Sequence, residues 1–171
     1  MAKNKNKILV VGGTGFVGKY VTKLLANRKN SEVFVIGAPA DNKTSAGKTK
    51  YYGIDLSRPL AYNKVPKAIL SSDTAIIMTH PSIPVIRNIL KLLGTARGLK
   101  KIVFVSTILV YPSSSKKIKE TAVPKPVSRY EKVKMAEEKM LTNYAKKRKI
   151  RLGIVRMANV YGDKKTEALS D

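Results

Sequence analysis

Short apolar runs alternate along this chain with longer stretches whose apolar residues recur every three to four positions. Six runs read as strands: KILVV (7–11), EVFVI (32–36), KYYGI (50–54), TAIIM (74–78), KIVFVS (101–106) and RLGIVRM (151–157). Their apolar content is nearly continuous rather than alternating, the pattern of strands covered on both faces. Between them, GFVGKYVTKLLANR sets Val17, Val21, Leu24 and Leu25 on one helical face. SIPVIRNILKLLGTARG does the same with Ile86, Ile89, Leu90 and Leu93, then ends at glycines suited to a helix C-terminus. A third helix is expected from near Ser128 to about Lys147, turning Val133, Ala136, Met140 and Tyr144 inward. Strands alternating with helices through right-handed crossovers predict an α/β fold, a doubly wound parallel sheet of about six strands with helices on both faces.

Two stretches rich in turn formers, GAPADNKTSAGKTK (37–50) and YPSSSKKIKETAVPKPVS (111–128), have the length of loops that lie over a site. No repeat and no linker divides the chain, so residues 1–171 are expected to form a single domain. At 43% hydrophobic residues there is material for a full core.

The first strand run leads into Gly12, Gly13, Thr14, Gly15, Phe16, Val17 and Gly18, which satisfy both G-x-G-x-x-G and G-x-x-G-x-x-G. A strand before and a helix after are the context in which such a turn cradles a pyrophosphate, with backbone N–H groups and the helix N-terminus facing the anion. The fold class is therefore Rossmann-like, and the cofactor NAD or NADP. NAD sites often carry an acidic residue at the end of the second strand. Here that strand ends in Gly37, and Lys43, Lys48 and Lys50 follow, which tilts the choice towards NADP.

Lys and Arg number 34 against 11 Asp and Glu, a formal charge of +23. Such an excess suits RNA or another polyanion, although the lysine clusters fall in different predicted elements with little aromatic interleaving. The chain has no cysteine, which excludes thiolate nucleophiles, thiolate metal sites and disulfides. No apolar run approaches the roughly 18–20 residues that span a bilayer, so a cytoplasmic protein without membrane contact is expected. With one histidine, His80, and no second ligand nearby in sequence, no metal site is expected.

GGTGFVG, GIDLS, DTAIIMTH, VFVSTILVYP, RYEKVKMAEEKML and VRMANVYG follow one another in the order found in the extended short-chain dehydrogenase/reductases, the NAD(P)-dependent sugar epimerase/dehydratase family. The chain resembles that family over nearly its whole length. The resemblance implies that Thr107, Tyr130 and Lys134 do the acid/base work, with Ser106 the runner-up to Thr107. It also implies Asp55 and Leu56 beside the adenine, Thr79 and His80 along the cofactor, and Lys134 on the ribose hydroxyls. Residues four apart share a helix face, so the Lys134 ammonium is expected to favour ionisation of the Tyr130 phenol. Glu137 and Glu138 read as solvated helix charges.

His80 stands where the family has small residues, and Pro112 where it has Gly. Family members are also roughly double this length, the part beyond NVYG building most of the substrate lobe. The function implied is that of an epimerase, dehydratase or reductase acting on a nucleotide sugar or a similar carbonyl or hydroxyl substrate. The alternative is a non-catalytic cofactor-binding subunit or RNA-binding protein on the same fold. Family dimers pair the helices that correspond here to residues 86–96 and 130–144, so a homodimer is expected unless like charges keep the copies apart.

Overall fold

The computed structural model describes residues 5–37, 48–60, 65–115 and 117–161. The chain begins with β1 (Asn6–Val11), α1 (Phe16–Ala26), β2 (Ser31–Gly37) and β3 (Thr49–Gly53). It continues through the short α2 (Lys67–Leu70), β4 (Thr74–Ile77), α3 (Ile83–Thr95) and β5 (Lys101–Thr107). A 3-10 turn (Ile108–Val110), α4 (Arg129–Arg148) and β6 (Arg151–Met157) complete the described part.

The six strands form one parallel sheet in the order β3-β2-β1-β4-β5-β6. The chain steps outward from β1 to β3 and then crosses to the other side of β1 to lay down β4. This reversal leaves a crevice between the carboxyl ends of β1 and β4, where open α/β sheets bind ligands. The expected α/β, Rossmann-like sheet is present, with α1 on one face and α2, α3 and α4 on the other.

Helix starts follow local chemistry. Ser128 and Glu131 close a capping box at α4: Ser128 Oγ accepts the Glu131 N–H at 3.2 Å, and Glu131 Oε2 accepts the Ser128 N–H at 3.1 Å. Ser82 caps α3, and Pro84 fills its first turn. At its other end α4 stops at Lys149, in the left-handed region at φ 54°.

Along each strand, side chains alternate between two unequal cores. Leu9, Phe34, Ile77, Phe104, Ile86, Leu93 and Leu141 belong to the larger, beneath α2–α4. Ile8, Val10, Val33 and Val35 form the smaller, beneath Leu25 of α1. Towards β5 and β6 that second face loses its cover: Val103 and Val105 are half-buried, and Val155 is 47% exposed. Burial on both faces therefore holds for the centre of the sheet and fails for β6, which among the described residues pairs only with β5.

Two expected helix faces are also rotated. Leu24 is 69% exposed, because α1 approaches the sheet through the small residues Gly18 and Thr22 and its larger side chains swing aside. On α4 the fully buried positions are Lys134, Glu137, Glu138, Leu141 and Ala145, whereas Met140 and Tyr144 are only part-buried.

The glycines divide by what surrounds them. A Cβ at Gly18 would overlap the Gly12 and Gly13 backbone, whereas one at Gly94, inside α3, would meet nothing within 4 Å. Gly94→Ala is expected to raise stability by about 0.5–1 kcal/mol through helix propensity and a less flexible unfolded chain. Gly18→Ala should lower it by about 1–3 kcal/mol, as overpacking does. Urea unfolding of the two variants checks both signs.

Candidate functional site

The turn between β1 and α1 is built from backbone. Gly12 has φ +80°, and a Cβ there would strike the Met78 carbonyl just beyond β4. A Cβ at Gly13 would press on Val35 and Thr22, and the Thr22 hydroxyl donates to Gly13 O at 3.3 Å. Only Gly15 has ordinary room, with its nearest would-be contact, Gly12 O, at 3.4 Å. Gly15 is also the α1 N-cap, so no side chain satisfies the first-turn N–H groups, and no acidic residue lies in that turn. Phe16, Val17 and Gly18 thus stand at the positive end of a helix dipole without a side-chain cap, an arrangement of main chain that favours an anion.

Thr14 leans against the end of β2, where a Cβ added to Gly37 would lie 2.6 Å from its Cγ2. The lysines expected to meet a 2′-phosphate are elsewhere. Lys50 Nζ pairs with Glu32 Oε1 at 2.9 Å, and Lys48 Nζ donates to Arg28 O and Lys29 O. Along the strand direction Lys50 lies about 10 Å and Lys48 about 16 Å from the level of Gly37, towards the other end of the sheet, so the lean towards NADP loses that support. Lys43 lies outside the described residues.

Beyond β3, Asp55 Oδ1 accepts the Ser57 hydroxyl at 2.6 Å and the Ser57 N–H at 2.9 Å, which hold its carboxyl below the usual carboxylate range. Leu56 is buried, and its carbonyl accepts from Asn88 Nδ2 at 2.9 Å, anchoring this loop to α3. Beyond β4, the Thr79 hydroxyl is buried with no hydrogen-bond partner. His80 is exposed, its ring set edge-on to Tyr130 at 6.3 Å.

At the end of β5 the two adjacent hydroxyls point to different partners. Ser106 Oγ donates to Glu138 Oε1 at 2.6 Å. Thr107 Oγ1 accepts the Leu109 N–H at 3.2 Å, capping the 3-10 turn and keeping its own proton to give. Thr107 is therefore the hydroxyl free to donate, and Ser106 is committed.

The reading of Glu137 and Glu138 as solvated charges is overturned: their side chains are 0% and 5% exposed. Glu138 takes Arg156 in a two-pronged pair, Nε to Oε1 at 3.0 Å and Nη2 to Oε2 at 2.7 Å. Arg156 Nη1 also donates to the Tyr111 hydroxyl, and its guanidinium lies 4.8 Å from that ring's centre. Glu137 Oε1 accepts the Ser82 N–H at 2.8 Å, while its Oε2 lies 3.3 Å from Lys134 Nζ. Lys134 is buried and donates to Thr79 O at 3.1 Å and Val105 O at 3.4 Å. Burial pulls its ammonium below the usual lysine value, and Glu137 opposes that pull.

Tyr130 is 41% exposed. Its phenol is raised above the usual tyrosine value, first by desolvation and then by the Glu137 charge, the reverse of the acidification expected from Lys134. A cavity of about 1040 Å³ lies against β6, lined by Ile108, Tyr111, Glu131, Ile154 and Arg156 among others; Thr107, Tyr130 and Lys134 are not part of its lining.

A glycine cradle at the crevice, with a hydroxyl, a phenol and a buried lysine beyond β4 and β5, narrows the chain's kin. The model of the NAD dependent epimerase/dehydratase family matches residues 8–170. This chain belongs to that family. It is 29% identical over 172 residues to the GDP-6-deoxy-D-talose 4-dehydrogenase of Aggregatibacter actinomycetemcomitans, covering 91% of this chain and 53% of the relative. Among solved structures it resembles the UDP-glucuronic acid 4-epimerase of Bacillus cereus in complex with NAD, at a TM-score of 0.75 and 22% identity, over 93% of this chain and 58% of that one. A Thermus thermophilus UDP-glucose 4-epimerase complex with NAD gives a TM-score of 0.76 at 22% identity, over 94% and 57% of the two chains. The chain thus spans between half and three-fifths of the length of these family members.

Sequence reasoning about this family member missed the Ser106–Glu138–Arg156–Tyr111 network. Its one local signal is that Glu138 lies four residues after Lys134 and so shares the inward face. Glu138→Ala would leave Arg156 without its counter-ion and Ser106 without its acceptor. A loss of about 3–5 kcal/mol in urea unfolding is expected for removing one partner of a buried pair, with Glu138→Gln milder.

Proposed function

We propose that this family member binds NAD(P) across the β1–β4 crevice and that Thr107, Tyr130 and Lys134 serve proton transfer on a nucleotide sugar or similar carbonyl or hydroxyl substrate. The observation that carries the reading is the glycine turn at Gly12–Gly18. Its first-turn N–H groups are free of any side-chain cap, and its close contacts at Gly12 and Gly18 admit no Cβ. The unpartnered Thr79 hydroxyl adds a buried polar atom on the far side of the crevice. These residues fit a dinucleotide: Gly12–Gly18 would hold the pyrophosphate, Asp55 and Leu56 would border the adenine, and Lys134 would meet a ribose hydroxyl. Bound NAD(P) would supply hydride acceptance and return.

The chain's own contribution is protonic. With its titration pushed upward, Tyr130 is protonated at neutral pH and is set to give a proton from its phenolic oxygen. Acting as a base requires a higher pH. Thr107, with its proton unspent, would donate to the same substrate oxygen.

Fluorescence titration with NADH and NADPH tests the reading. Dissociation constants below about 1 mM are expected for at least one of them; binding of neither would end it. Gly15→Leu has room to fold but fills the cradle, and should weaken binding by about tenfold or more. Tyr130→Phe should leave binding unchanged and remove turnover in any preparation that has it.

A second reading, polyanion binding, draws on α4. Glu137 and Glu138 are spent in buried contacts, and Glu131 is engaged by the exposed capping box at the helix start. Arg129, Lys132, Lys139, Lys146, Lys147 and Arg148 remain on its exposed face. Two copies meeting through that face would bring like charges together. RNA affinity across a salt series should fall steeply with ionic strength if this reading holds, and a flat or absent response removes it.

A further inference from the structure

The Lys134 ammonium has three N–H bonds and no lone pair. Three oxygens surround it: Thr79 O at 3.1 Å, Val105 O at 3.4 Å and Glu137 Oε2 at 3.3 Å. Two are main-chain carbonyls, one in β5 and one just past β4, and they cannot withdraw without moving the sheet. The third belongs to a side chain that is itself tethered, since Glu137 Oε1 accepts the Ser82 N–H at 2.8 Å. With side-chain exposures of 4% for Lys134 and 0% for Glu137, water is poorly placed to replace any of them. The ammonium thus donates to two main-chain carbonyls and faces Glu137 Oε2 as an ion pair, an oxygen that is buried and accepts no hydrogen bond of its own. Of the three oxygens, the one that can let go by a side-chain movement is Glu137 Oε2.

We propose that Glu137 is a positioning residue that holds Lys134 withdrawn against the sheet, so that a dinucleotide must win the ammonium from Glu137 as it binds. The inference rests on the reading that this crevice takes NAD(P). The surrounding charges give the exchange its cost. Glu138, next along α4, is matched by Arg156 of β6, and Arg156 is shared with Tyr111. His80, from the loop after β4, faces the Tyr130 ring. Glu137 has no cation in contact other than Lys134 among the described residues. Drawing Lys134 away leaves a buried carboxylate uncompensated, which works against cofactor binding. Replacing that carboxylate with a neutral amide removes the stranded charge and leaves a single acceptor oxygen, which the Ser82 N–H also claims.

The test is NADH affinity, by fluorescence at fixed ionic strength, in wild type, Glu137→Gln, Lys134→Met and the double variant. Glu137→Gln is expected to bind NADH about tenfold more tightly, a modest share of what one buried charge contact can contribute. That gain should vanish in the Lys134→Met background. Equal or weaker binding by folded Glu137→Gln overturns the proposal, as does the same gain without Lys134, which would make Glu137 a mere repelling charge. A second measurement needs no altered binding protein. In wild type labelled with 15N-lysine, the Lys134 Nζ signal, assigned by its absence in Lys134→Met, should shift at NADH saturation. A signal that stays put on saturation also overturns the proposal. Failure of every protein to bind NADH or NADPH instead removes the dinucleotide reading, and this inference falls with it.

Discussion

Charge placed on the inward face of a helix must be answered within hydrogen-bond reach, because the interior offers no water to do it. On α4 that constraint acts on Lys134, Glu137 and Glu138 in neighbouring positions. Lys134 is answered by carbonyls of Thr79 and Val105, Glu137 by the start of α3, and Glu138 by Ser106 of β5 and Arg156 of β6. One helix face thereby ties together two strands, the loop beyond a third and a second helix. The apolar residues Leu141 and Ala145 press the same face onto the core, but the polar contacts determine how α4 is rotated about its axis.

The two parts of the candidate site meet at the end of β4. The Met78 carbonyl leaves no space for a side chain at Gly12, and the next carbonyl, Thr79, receives the Lys134 ammonium. The glycine turn and α4 thus share two consecutive residues as their common support. A shift of this short segment would disturb both at once, and the parallel ladder of β4 with β1 and β5 on either side resists it.

Much of the fold is legible in the sequence because its signals are local. The strand runs, the Ser128–Glu131 capping box and the glycine spacing each depend on residues a few positions apart. The rotation of α4 is not legible that way. A helix template assigns charged residues outward, and the groups that bring Glu138 inward, Ser106 and Arg156, lie on other elements and 32 and 18 residues away. The same limit explains Tyr130: spacing puts Lys134 on its face of the helix, but nothing in that spacing shows the lysine turned to the sheet and matched by Glu137. Lys48 and Lys50 misled for a simpler reason. They follow Gly37 closely in the chain, yet β3 begins at the other end of the sheet.

The contact between Thr14 and Gly37 limits which cofactor preferences lie within one mutational step. An aspartate at Gly37 would introduce the carboxylate that many NAD sites use at this strand end. Its Cβ would first collide with the Thr14 side chain, which is short, branched and stiff at χ1. An acid at Gly37 is therefore coupled to position 14: either the Thr14 side chain turns away or a smaller residue takes its place, so that two positions far apart in sequence would have to change in concert.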